Sequence, residues 1–220
     1  MPTIHRLIRS RRRSLSLIVE RDGSLTVRAP QHLDQAEIER FVHAKSDWIR
    51  RKQLQAARQA PVVHRYQDGE TFLYLGVAYP LRLVSGGKSG LVFDRGFALE
   101  RSLQPEGERL FTAWYRRQAR RHLEERVAYF AGKFDFDPGK LRISSARTRW
   151  GSCSRKGTLS FTWRLVMASP DVVDYVVVHE LCHLRHPNHS KAFWSHVERI
   201  LPGYKTQRAW LKHNGERLQL

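Results

Sequence analysis

The sequence predicts an α+β fold, in which a mainly β N-terminal region with one inserted helix precedes a C-terminal region built round a buried helix. Three patterns carry this reading. Apolar residues alternate with period two from Thr3 to Ala29 and from Thr71 to Glu100. They recur at helical spacing through 35–58 and 106–133. The run Val172-Val173-Asp174-Tyr175-Val176-Val177-Val178 is apolar almost all round. A helix apolar on every side has to be enclosed by the rest of the fold.

Taken in order, Leu15, Leu17 and Val19 alternate, Asp22-Gly23 marks a turn, and Leu25 with Val27 resumes the pattern, which predicts a hairpin or meander. Asp34 is a helix cap for a single helix over Gln35 to Arg58, with Ile38, Phe41, Val42, Trp48 and Ile49 as its packing stripe and Pro61 beyond its end. Leu73, Leu75, Leu81, Leu83, Leu91 and Phe93, punctuated by Gly76, Gly86-Gly87, Gly90 and Gly96, predict further strands. Phe111, Tyr115, Leu123, Val127 and Phe130 define a second helix from about Glu106 to Lys133, closed by Asp135 to Gly139. Leu141 and Ile143 predict a short strand. Arg149 to Cys153 reads as a turn or bulge, and Leu159, Phe161, Trp163 and Leu165 alternate as a strand over Thr158 to Val166. Ser169-Pro170-Asp171 then opens a helix, since Ser caps, Pro suits the first turn and Asp complements the dipole. The expected division is 1–104 for the β-rich region and 105–220 for the region that carries the chemistry, the two forming one compact unit.

Composition limits the partners. Lys and Arg number 39 against 21 Asp and Glu, a formal net charge of +18. Such a surface concentrates anions, so nucleotides, nucleic acid, an anionic membrane or acidic protein segments are plausible neighbours. The two cysteines, Cys153 and Cys182, do not form a disulfide framework. No stretch has the length and hydropathy of a signal core or a membrane span. A cytoplasmic protein with no membrane partner is expected.

The chemistry-bearing motif is His179-Glu180-Leu181-Cys182-His183, the H-E-x-x-H pattern. Histidines at i and i+4 share one helix face and can bind one zinc ion, while the glutamate between them can act as general base without being a ligand. On a buried, Val-rich helix these polar groups would be costly to desolvate without a partner, and a metal ion is such a partner. A catalytic zinc takes a third protein ligand. His186 lies seven residues from His179, roughly 10 Å along a continuous helix, which is beyond a single coordination sphere. Pro187 stops the helix near Arg185, and His189 can then return to the metal, with Ser190 capping the next helix over Phe193, Trp194 and Val197. His189 is favoured over His186, and Glu198 or another acidic residue is a further candidate.

Trp150-Gly151-Ser152-Cys153, the strand to Trp163, Val177 to Leu184, Asn188-His189-Ser190 and Phe193-Trp194 together closely resemble the YgjP-like metallopeptidase family. The specific likeness covers about Arg147 to Leu211, and the N-terminal strands followed by the Trp48-Ile49 helix are similar to that family's first half. The interval from His183 to His189 also resembles the WLM and SprT-like zinc proteases. The resemblance implies a zincin-type catalytic domain with His179, His183 and His189 on zinc and Glu180 as base. It further implies a substrate chain lying beside an edge strand, for which Thr158 to Val166 is the candidate. Tyr204 and Arg208 are possible oxyanion partners or simply packing and surface residues, and Cys153 and Cys182 read as core. His5, His32, His43, His64 and His122 have no ligand-like spacing.

The leading expectation is a zinc-dependent hydrolase acting on proteins or peptides, Zn2+ being the cofactor with other divalent metals as alternatives. A second reading keeps the site and changes the substrate to a nucleoside triphosphate, on the strength of the charge and of Arg147, Arg149, Arg155 and Lys156. It lacks a phosphate loop of the Walker type. A third is a nucleic-acid-associated protease or a basic binding module.

Overall fold

The computed structural model describes residues 2–20, 22–58, 64–86 and 90–220. Pro61, expected beyond the end of the first helix, and Gly87, expected to punctuate the strands, lie outside them. The fold is a mixed α+β arrangement with three small sheets and six α-helices among the described residues. The chain divides into two compact units, Met1–Pro61 and Val62–Leu220.

In the first unit, β1 (Arg6–Ser10), β2 (Ser16–Val19) and β3 (Leu25–Pro30) form a sheet in the order β1-β3-β2, with β1 parallel and β2 antiparallel to β3. Asp34 caps α1 (Gln35–Ala44) through a capping box: its carboxylate accepts from Glu37 N–H at 2.6 Å, and the Glu37 carboxylate accepts from Asp34 N–H at 3.4 Å. The single helix expected over 35–58 is two. It breaks at Lys45 (φ −108°, ψ 13°), and α2 starts at Ser46 and runs to Arg58. Ser46-Asp47 explains the break, because short polar side chains favour a helix start over a helix interior. Leu25, Val27, Ala29, Ile38, Val42 and Ile49 form the core of this unit.

The second unit opens with β4 (Thr71–Tyr74), β5 (Val77–Val84), β6 (Leu91–Phe93) and β7 (Phe97–Glu100), in the order β4-β5-β7-β6. A 3₁₀ turn over Arg101–Glu106 leads into α3 (Gly107–Phe134), which Asp135 ends in the left-handed conformation at φ 54°. Gly107 starts the helix against Tyr66, where a Cβ would meet the ring at 2.4 Å. The unit boundary differs from the expected 1–104 and 105–220 division. Strands β4 to β7 belong with the C-terminal elements because Phe72 stacks on Phe111 of α3 at 4.0 Å between ring centres and Phe97 packs against it, tilted, at 4.8 Å. Alternation identified these strands without showing which hydrophobic face they would cover.

β8 (Leu141–Ser144), β9 (Gly151–Cys153) and β10 (Leu159–Thr162) make the third sheet, in the order β8-β10-β9. The Thr158 to Val166 segment is therefore not an edge strand. Its first half is the central strand, parallel to β8 and antiparallel to β9. Its second half, Trp163–Met167, is a 3₁₀ turn whose five residues are all buried. The carbonyls of Val166 and Met167 accept from Leu75 and Gly76 N–H, at 2.8 and 3.2 Å, in the β4–β5 turn. Full burial of consecutive residues erases the period by which strand and turn are told apart.

α4 (Pro170–Cys182) follows, then α5 (Lys191–Ile200) and α6 (Lys205–Asn214). Ser169 sits at the cap of α4 without a side-chain cap hydrogen bond. Nine residues of α4 are buried, and a bidentate Arg126–Asp174 pair at 2.6 and 2.8 Å ties it to α3. Among the described residues, no helix is long and apolar enough to cross a membrane.

Candidate metal centre

Regular α4 ends at Cys182, earlier than the expected Arg185, but the backbone continues in a tight turn. His183 stays helical (φ −66°, ψ −18°), and Arg185 and His186 N–H both donate to the Cys182 carbonyl. His183 thus shares a face with His179, their ring centres 4.9 Å apart. The chain folds back after Pro187 and brings His189 to both, at 4.9 Å from His179 and 4.7 Å from His183. Ser190 caps α5 by accepting from Phe193 N–H at 3.3 Å, and Phe193 packs within 5 Å of all three imidazoles. The helix start that follows the turn therefore supplies the floor of the cluster.

One ring nitrogen from each of His179, His183 and His189 lies within 4.8 Å of the others. It is the only such group of three or more donors among the described residues. Zinc–nitrogen bonds of about 2.0–2.1 Å place tetrahedral ligands roughly 3.3 Å apart, so the cluster has the dimensions of one coordination sphere. The protonation states also fit. His183 Nδ1 lies 3.0 Å from the His186 carbonyl, which can only accept, so Nδ1 is the donor there and Nε2 is the nitrogen turned to the cluster. His179 Nε2 and His189 Nε2 approach to 2.9 Å, a separation at which two N–H groups cannot face each other. Burial, reinforced by His183, His189 and Arg208, lowers the His179 pKa to about 3, and burial also lowers that of His189. Neutral imidazoles are what a metal requires.

The other expected ligands go elsewhere. The His186 ring lies against His196, 5.2 Å between centres, and reaches the cluster only through its main-chain carbonyl. Glu198 accepts from Gly203 N–H at 3.4 Å and is not in the cluster. Cys182 is fully buried, with its thiol pushed up to about 12 by burial, and Cys153 lies in β9. His64, without an expected role, pairs with Glu70 at 2.7 Å.

Glu180 is 5% exposed. Burial raises its carboxyl from 4.5 to about 7, against a lowering by Arg149. It lies against β9 at Gly151, where a Cβ would stand 2.6 Å from its Cγ and Oε1. The neighbouring Trp150 is packed equally tightly, since a Cβ on Gly215 would meet its ring at 2.5 Å. The sequence predicts only a turn or bulge at Gly151, which instead begins β9. The contact is 29 residues away in the chain, and its one local sign is a glycine between Trp150 and Ser152. Gly151→Ala is expected to move the Glu180 carboxylate and cost about 10²-fold in turnover, the scale of a 1 Å misplacement, with metal content intact. Unchanged turnover in a metal-quantified assay would remove Gly151 from this role.

Burial of Glu180 also makes a stability prediction. Its folded pKa exceeds its unfolded one, so the cost of ionising it is absent below about 4.5, grows up to about 7 and is complete above that. In chelated protein, Glu180→Gln is expected to gain about 3 kcal/mol at pH 8 and about 1 kcal/mol at pH 5 over the native chain. Denaturant unfolding at the two pH values measures this, and a gap that does not grow with pH would contradict it.

A cavity of about 320 Å³ adjoins the cluster, lined by His179, Glu180, Gly151 and Trp150 and, from α6, by Arg208 and Lys212. Tyr204 is buried and stacked between Trp194 (5.3 Å) and Tyr175 (6.0 Å), and Arg208 lies over the Trp194 ring at 4.4 Å. Arg147, Arg149, Arg155 and Lys156 are all exposed, Arg149 just before β9 and Arg155-Lys156 in the β9–β10 turn.

No curated protein matches the sequence. Among solved structures, the metallopeptidase zymogen of Pyrococcus abyssi abylysin is similar at 23% identity and TM-score 0.40, over 44% of this chain and 99% of that one. The metallopeptidase zymogen of Methanocaldococcus jannaschii jannalysin is similar at 18% identity and TM-score 0.36, over 41% and 91%. A family model described as YgjP-like, metallopeptidase domain, matches residues 13–214, nearly the whole chain, and the protein belongs to this family of metal-dependent hydrolases.

Proposed function

We propose that the protein is a zinc metallopeptidase in which His179, His183 and His189 hold the ion and Glu180 is the general base. The observation that carries this is the convergence of three imidazole nitrogens within 4.8 Å, from α4, its C-terminal turn and the loop before α5, beside a buried Glu180 that lines the same cavity as His179. A bound zinc ion supplies Lewis acidity, lowering the pKa of water and polarising a carbonyl. Glu180 takes a proton from the attacking water as the new C–O bond forms, then gives it to the amine nitrogen as the C–N bond breaks. Its burial suits both steps, because a carboxyl poised near neutrality can accept and return a proton. Gly151 holds that carboxylate close to β9, an outer strand of its sheet, and β9 takes the place of Thr158 to Val166 as the strand beside which an extended substrate would lie.

The test is hydrolysis of casein, a peptide library and a nucleoside triphosphate panel by metal-quantified native and Glu180→Gln protein. Glu180-dependent peptide cleavage is the expected result. Glu180-dependent pyrophosphate release with no peptide cleavage would overturn the peptidase reading in favour of a nucleotide hydrolase.

A further inference from the structure

Arg208 and Lys212 stand one turn apart on α6 and line the same cavity as His179 and Glu180. No carboxylate among the described residues forms an ion pair with either. The Arg208 guanidinium is held by the Trp194 ring, 4.4 Å away, and Trp194 is in turn stacked between Tyr204 at 5.3 Å and His189 at 5.5 Å. Arg208 and Lys212 are both exposed, so a ligand can reach them; the ring contact restricts the Arg208 guanidinium before a ligand arrives, and its donor fork matches a carboxylate. The rest of the wall includes Trp150, Val176 and Leu211, which bind no charge of their own. With about 320 Å³ available, the cavity is at the small end of ligand pockets and has room for little more than a residue or two.

We propose that Arg208 and Lys212 form the carboxylate-binding end of the substrate cavity, so that the enzyme selects peptides carrying a carboxylate within one or two residues of the scissile bond. The carboxylate is either the free C-terminus of the peptide or an Asp or Glu side chain. This rests on the peptidase reading above and narrows its substrate class.

The experiment compares otherwise identical short peptides: one with a free C-terminal acid, one with a C-terminal amide, and one amidated with a Glu beside the cleaved bond. Each is assayed with zinc-quantified native, Arg208→Gln and Lys212→Gln protein. A carboxylate peptide is expected to exceed the neutral amide at least tenfold in kcat/KM, about what one charge-assisted hydrogen-bonded pair provides. That ratio is expected to fall towards one in Arg208→Gln and to drop in Lys212→Gln. Preference for the free acid alone identifies a C-terminal carboxylate, and preference for the Glu peptide alone identifies a side chain. The ratio within each protein is insensitive to general damage from lost Trp194 packing. Glu180-dependent cleavage with no carboxylate preference, or a preference that both substitutions leave intact, would overturn the subsite while the peptidase reading stands.

Calorimetric binding of an N-acetyl dipeptide acid and its amide to zinc-loaded Glu180→Gln protein gives a readout independent of turnover. Acid binding at least tenfold tighter than amide, lost in Glu180→Gln/Arg208→Gln, supports the subsite even if no peptide is cleaved, in which case the peptidase reading is what fails. Equal affinity for acid and amide would overturn it.

Discussion

Glu180→Gln protein is expected to bind zinc in the native ratio and to lose about 10²–10⁴-fold in turnover, the usual contribution of a positioned general base. Glutamine has nearly the shape of the buried carboxyl and can still sit against Gly151, so the packing that places it survives the change. It cannot take a proton from water. The same substitution relieves the cost of a buried charge, so loss of activity should accompany a gain in stability of the chelated protein at pH 8. That opposition is diagnostic. A merely structural glutamate would lose stability and activity together, and a Glu180→Gln protein with native turnover would eliminate this residue as the base.

His189→Ala is expected to weaken zinc binding by more than the roughly 10–100-fold that loss of an outer-shell partner costs, and to abolish turnover at limiting metal. His186→Ala should keep its zinc. The reason is that His186 touches the cluster only through the main-chain carbonyl that receives the His183 Nδ1 proton, and a side-chain truncation leaves that carbonyl in place. Competition with a chromophoric chelator, with both proteins at the same concentration, distinguishes them. Equal affinity for the two variants would transfer the third ligand position away from His189.

The motif helix and its neighbours were legible in the sequence because their determinants are local. His179 and His183 differ by one helical turn, Pro187 forbids the helix to resume past the turn that closes it, and Ser190 starts the next one, so the return of His189 follows from residues within a short stretch. What local pattern could not supply was long-range contact. Nothing near Gly151 signals that Glu180 fills the space of its missing side chain. Nothing in α6 alone shows that the exposed Arg208 lines the cavity beside His179 and Glu180. The same limit explains the 3₁₀ turn at Trp163–Met167, where all five residues including Arg164 are buried and the two-residue period carries no information, and the unit boundary, which depends on Phe72 and Phe97 finding Phe111. The break at Lys45 is a different case, since Ser46-Asp47 was visible and was outweighed by an uninterrupted apolar stripe.

The three clustered histidines span only eleven residues, 179 to 189. Closing so short a loop costs little chain entropy, so the ligands can meet before the sheets are assembled. A denatured chain in which His179, His183 and His189 still find one ion competes with the native site for it, and ligand stabilises a fold only to the extent that it prefers native to unfolded. Zinc should therefore raise the melting temperature less than its native-state affinity alone would require. By the same reasoning, saturating metal during refolding should accelerate the nucleation of this segment, while Gly151, 28 residues upstream of His179, joins it later.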